Sequence, residues 1–158
     1  MMRTILVALD GSPRAPGVAA AAAEIGRRFG ATLIPLRAVS IPPEFPPAAH
    51  VVLDDPLPAH LERTALTELA QRVAGIEGAW ARPIARIGQP WRTILEVAEE
   101  RNVDLIVLGS HGYHGIDHVL GTTAAKVTNS ARTNVLVVHE RPARPELGTA
   151  KPPGGHGG

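Results

Sequence analysis

Two short runs, Ile5–Leu9 (ILVAL) and Asp104–Leu108 (DLIVL), are almost wholly apolar. A strand with water on one side alternates apolar and polar residues. A strand that is apolar throughout has both faces covered, as in a parallel sheet between two layers of helices. Two such runs, near opposite ends of a 158-residue chain, point to an α/β domain with one sheet as its centre.

The segments between them fit that frame. Val18, Ala22, Ile25 and Phe29 recur at helical spacing and Gly30 follows as a stop. Ser12 with Pro13 could open this helix, but Pro16 would then remove a helical bond, which a later start avoids. Ala31–Val39 reads as a second strand. A second helix runs from about Ala59 to Ala74, with Leu61, Ala65, Leu69 and Val73 as its inward stripe and Gly75 after it. In the third strand, Ala79–Ile87, Pro83 cannot donate a ladder bond, and Arg82 and Arg86 suit a strand at the sheet's edge. Gly88-Gln89-Pro90 turns into a third helix that points Ile94, Leu95 and Ala98 inward and closes at Asn102. A fourth helix spans about Thr122–Ala131, with Thr122 as a good N-cap, and Asn134–His139 is the last strand. The strict alternation of strand and helix predicts a doubly wound, five-stranded parallel sheet of order 3-2-1-4-5 with helices on both faces.

Two stretches stand apart. Ser40–Pro58 carries prolines at 42, 43, 46, 47, 56 and 58, and is long for a connection. It reads as a proline-stiffened surface loop, with a lid or partner-binding segment as the alternative, and Val51-Val52-Leu53 as a point of attachment. Residues 141–158 (RPARPELGTAKPPGGHGG) have almost nothing to bury and read as a disordered tail behind a folded domain of residues 1–140.

After Leu108 come Gly109, Gly112, Gly115 and Gly121, and then the helix that starts Thr122-Thr123-Ala124-Ala125. The first turn of a helix has N–H groups without intrahelical partners, and a glycine-rich approach lets a phosphate reach them. A surface loop without a ligand would share the pattern. The loop is neither G-x4-G-K-S/T nor G-x-G-x-x-G, so it is not one of the two commonest phosphate motifs. Asp10 stands just past the end of the first strand. In the order 3-2-1-4-5, strands 1 and 4 adjoin where the winding reverses, and open α/β sheets bind ligands at that point. Asp10 and the Gly109 loop should therefore flank one crevice.

Composition narrows the function. Hydrophobic residues make up 44% of the chain but aromatics only 3%, so the core is aliphatic. The net charge is +1 without a basic run, which argues against nucleic acid as a partner. No cysteine is present, which removes thiol catalysis and cysteine-ligated metal. The N-terminal apolar run is too short for a signal peptide, and no segment approaches a membrane span. A cytoplasmic protein is the expectation.

Other chemistries compete with the crevice. His111, His114 and His118, with Asp117, offer donors to a divalent metal, but on a glycine-rich loop they form a loosely held set, and no metal site is expected. Ser12, Ser40, Ser110 and Ser130 lack a G-x-S-x-G setting. ATP hydrolysis or autophosphorylation would have only Asp10 and His111 as crevice groups. No catalytic residue is assigned.

From about Arg3 to His139 the chain resembles the universal stress protein family. The resemblance is carried by ILVALDGS at the first strand, VDLIVLGSHG at the fourth and LGTTAAKVTNSARTNVLVV at the end. It implies a five-stranded α/β fold, a homodimer through the last strand and, in many members, a bound ATP or other adenine nucleotide with magnesium as a potential companion. It also implies a stress-response module acting on an unknown protein partner rather than a turnover enzyme. Residue by residue, it assigns Ala8, Leu9 and Asp10 to the adenosine end, and Val39 to the base. Leu108, Gly109 and Ser110 would border the ribose, Gly112 the phosphates, and Gly121, Thr122, Thr123 and Ala124 would hold phosphates. ATP-binding members space the last two loop glycines by nine residues; here eight separate Gly112 from Gly121, which bears on ATP more than on nucleotide binding in general. A dimeric interaction protein of the same fold with an empty crevice is the alternative. The uncovered apolar edge Val135–Val138 invites pairing with a second copy, unless the tail covers it.

Overall fold

A computed structural model describes residues 1–41, 57–110 and 121–139. Nine elements follow in the order β1 (Thr4–Ala8), α1 (Ala15–Phe29), β2 (Thr32–Val39), α2 (Leu57–Ala74), β3 (Ile84–Ile87), α3 (Pro90–Glu100), β4 (Leu105–Gly109), α4 (Thr122–Ser130) and β5 (Asn134–Val138). The strands form one parallel sheet of order β3-β2-β1-β4-β5, as the alternation of elements predicts.

The strands are apolar throughout because successive side chains serve opposite layers. Ile5, Val7, Leu105 and Val107 pack with Val18, Ala19, Ala22, Leu69 and Val73 of α1 and α2. Leu6, Ile106 and Leu108 pack with Ile94, Val97, Ala124 and Val127 of α3 and α4. Ile5, Leu6, Ile106 and Val107 are fully buried. Truncating one of the larger of these to alanine costs about 2–5 kcal/mol, so the sheet centre is a rigid platform for what lies at its ends.

α1 takes the later start that Pro16 favours: it begins at Ala15, past Ser12 and Pro13, so that Pro16 falls in its first turn, where a missing N–H costs no helical bond. Several other local expectations are corrected. The inward face of α1 is Val18, Ala19, Ala22, Ala23 and Gly26. Phe29, expected on that face, is 57% exposed, because the helix ends there: Gly30 takes φ +66° and turns the chain out. On α2, Leu61 is only half-buried, and Leu57 takes a buried place. β3 is shorter than the run Ala79–Ile87. Trp80 makes a single bridge to Leu33, and the ladder resumes only at Ile84, beyond Pro83. Gly121, not Thr122, is the N-cap of α4, without a side-chain cap bond.

β3 and β5 are the edges, as expected. Arg86 on β3 forms a two-pronged pair with Glu100 at 2.8 and 2.6 Å, tying the edge to the end of α3. β5 packs half-buried against both cores, and among the described residues no strand pairs with its outer side. The loop Ser40–Pro58 lies mostly, and the tail from 141 wholly, outside the described residues.

A cavity at the switch point

A cavity of about 650 Å³ opens where the C-terminal ends of β1, β2 and β4 meet the first turns of α1, α3 and α4. That is within the size range of small-molecule sites. Ala8, Leu9, Asp10, Val39, Leu108, Gly109, Ser110, Thr123 and Ala124 all line it. Gly121 and Thr122 lie beside it but not in its wall; Gly112 lies outside the described residues. His111, His114, His118 and Asp117 lie outside them too.

The Asp10 side is a braced turn. Asp10 is exposed, and its Oδ1 accepts both the Ser12 N–H (3.0 Å) and the Ser12 hydroxyl (2.6 Å). The Ser12 hydroxyl in turn accepts the Arg14 N–H at 3.3 Å. Ser12 thus folds the turn rather than capping α1. From α2, the Arg72 guanidinium donates to the carbonyls of Ser12 (3.2 Å) and Gly11 (3.3 Å). A helix remote in sequence therefore holds the strand-end turn that presents Asp10.

The opposite side is the clasp of the glycine loop. The Ser110 N–H donates to the Val138 carbonyl (2.9 Å), and the Ser110 carbonyl accepts the Gly121 N–H (2.7 Å). The Gly121 N–H, assigned to phosphate by resemblance, is therefore already engaged. The first helical bond runs from the Ala125 N–H to the Gly121 carbonyl. The N–H groups of Thr122, Thr123 and Ala124 thus have no acceptor within the helix. Gly109 sits in close approach to α1: a Cβ there would stand 3.3 Å from Val18 Cγ2.

Several lining residues escape the sequence reading, among them Arg14, Arg37, Pro90, Ile94 and His139. Arg37 on β2 pairs with Glu68 on α2, and its guanidinium lies 3.0 Å from where a Gly11 Cβ would stand. Asp10, Arg14 and Arg37 are the charged aspartate and arginine side chains of the wall, and Glu68 behind it offsets Arg37. The signal for Arg37 is an arginine in a strand otherwise apolar, two residues from its end.

The universal stress protein family model matches residues 1–139. Universal stress protein A homolog 1 of Coxiella burnetii is 35% identical over 139 residues, covering 85% of this chain and 94% of that protein. The solved universal stress protein UspA from Lactobacillus plantarum superposes with a TM-score of 0.68 at 31% identity, covering 86% and 97% of the two chains. A universal stress protein solved in complex with cAMP gives a TM-score of 0.63 at 26% identity, covering 87% and 97%. The chain belongs to the universal stress protein family.

Proposed function

We propose that the switch-point cavity binds an adenine nucleotide, ATP or AMP, and that the protein works as a nucleotide-responsive regulatory module rather than a turnover enzyme. The observation that carries this is the convergence of Asp10 and the first turn of α4 on one cavity of about 650 Å³. The carboxylate suits hydroxyl or amino groups of a nucleoside; the α4 N–H groups suit phosphate. A family member of the same fold is known in complex with cAMP.

In this reading Ala8, Leu9, Asp10 and Val39 meet the nucleoside, Leu108, Gly109 and Ser110 border the ribose, and Gly112, Thr122, Thr123 and Ala124 face the phosphates. Gly121 supports them through its bond to Ser110. Magnesium accompanies the nucleotide only through its phosphates. Residues 1–140 are the folded unit, and a second copy pairs antiparallel along the outer edge of β5. Among the described residues no helix is long and apolar enough to cross a membrane, in keeping with a cytoplasmic role.

Titration calorimetry of the full chain with ATP, AMP and cAMP tests the reading. One saturable site per chain for at least one of them is expected. Absence of heat and of competition for all three favours the empty-crevice interaction protein. Steady-state ATPase above about 1 s⁻¹, the low end of ordinary enzyme rates, contradicts the regulatory role.

A further inference from the structure

Trp91, on the first turn of α3, carries two cations. The Arg92 guanidinium lies 5.1 Å from its ring centroid and the Lys126 ammonium of α4 lies 5.5 Å from it. Trp91 is half-buried and packs against the core beneath α3 and α4. Its ring therefore has a fixed seat, while Arg92 and Lys126 are both exposed. Among the described residues neither cation has a carboxylate within ion-pair distance.

Trp91, Arg92 and Lys126 are not themselves in the cavity wall, but the cluster is next to it in sequence on two elements. Pro90, the neighbour of Trp91, and Ile94, one turn further, line the wall from α3; Thr123 and Ala124 line it from α4. Lys126 is three residues beyond Thr123, hence on the same side of α4. A helical side chain leans toward the N-terminus of its helix, which aims Lys126 back at the α4 first turn. Neither α3 nor α4 has an acidic residue in its first turn. Two exposed positive charges thus stand near helix ends that are themselves positive.

We propose that Arg92 and Lys126, held ready on the Trp91 ring, are specificity-determining residues that make this cavity select nucleotides with a di- or triphosphate chain over monophosphates. This rests on the nucleotide reading above and deepens it. A single phosphate at the α4 first turn is served by backbone N–H groups alone. Each further phosphoryl group extends the chain and adds charge that those N–H groups do not reach. An exposed cation–π contact is weak, so the cations leave the ring for phosphate oxygens, where charge-assisted hydrogen bonds are stronger. Lysine acts there as a point charge and arginine as a fork.

The test is calorimetry of the full chain with adenosine, AMP and ATP in magnesium-free buffer, for the wild type, Arg92→Gln, Lys126→Gln and the double variant. Both side chains are exposed, and circular dichroism checks the fold. Each single variant is expected to weaken ATP about tenfold, the low end for a hydrogen bond to a charged group. AMP and adenosine stay within about twofold. In a Trp80→Phe background Trp91 is the sole tryptophan, and ATP but not AMP is expected to change its emission. Equal losses for ATP and AMP, or none for either, overturn the proposal while leaving the nucleotide reading intact. If the wild type binds no nucleotide, that reading fails and takes this one with it.

Discussion

The Ser110 carbonyl accepts the Gly121 N–H at 2.7 Å, so the residue after β4 and the residue before α4 are joined directly across the glycine loop. The start of α4 is thereby fixed to the end of β4 by backbone, independently of how many residues lie between. On the nucleotide reading, the shortened spacing of eight residues between Gly112 and Gly121 matters to the phosphate end of the ligand.

Inserting one glycine after Gly115 is therefore expected to leave the fold intact. Lengthening a closed loop of this size by one residue costs about 0.1 kcal/mol, so thermal melting should be unchanged within error. ATP affinity is expected to change more than AMP affinity, read by calorimetry.

Asp10→Ala removes the acceptor for the Ser12 N–H and hydroxyl as well as the proposed nucleoside contact. A loss of about tenfold in ATP and AMP affinity alike is expected. Arg72→Met leaves Asp10 in place but removes the two bonds to the Gly11 and Ser12 carbonyls. It should weaken binding by a smaller factor and speed amide exchange at residues 11–14. Calorimetry and hydrogen exchange read the two effects.

Two glycines of α1 should respond in opposite ways to alanine. At Gly17 a Cβ meets nothing within 4 Å, so Gly17→Ala gains helix propensity and is expected to stabilise by about 0.5–1 kcal/mol. At Gly26 a Cβ would lie 2.9 Å from Leu33 Cδ2 and 3.4 Å from the Ala31 carbonyl. Overpacking there costs about 1–3 kcal/mol, more than the propensity gained. Urea unfolding of the two variants measures both signs.

Much of this frame is legible in the sequence, for identifiable reasons. Pro83 with Arg82 and Arg86 marks an edge strand because an edge alone tolerates a missing donor and exposed charge. The buried runs reveal the sheet's centre because both of their faces are covered. The turn at Asp10 is legible as a strand end at a reversal of winding. Arg14 carries no such mark, and the one Arg37 carries, a charge in an apolar strand, does not say which way it faces, since that depends on the packing of α2 and α1. The exposure of Phe29 has the same character: helical spacing continues to the last residue, but the surface it would pack on has ended. Thr122 outranks glycine as an N-cap by propensity, yet the bond from Gly121 to Ser110 sets the helix start one residue earlier.

The Asp104 Oδ2 accepts the backbone N–H groups of Arg3 (2.7 Å) and Thr4 (2.9 Å), which hold its carboxyl below the ordinary value. Glu100 is lowered likewise by its pair with Arg86. A carboxylate lowered in the folded state stabilises the fold above its unfolded pKa, and that stability is lost as pH falls through the folded value. Asp104→Asn is expected to be less stable than the wild type above about pH 5. The gap should begin to narrow near pH 4, the unfolded carboxyl range, and close only as pH falls below the lowered folded value. Urea midpoints across pH 2–7 give the profile.

The most direct measurement follows backbone amide shifts of the isotopically labelled full chain while ATP is added. Asp10 and Ser12 on the β1 turn, and Thr123 and Ala124 on α4, should shift together along one saturation curve, with residues at the far end of the sheet unmoved. Shifts at one of these two groups without the other, or at neither, would contradict a single nucleotide site between them.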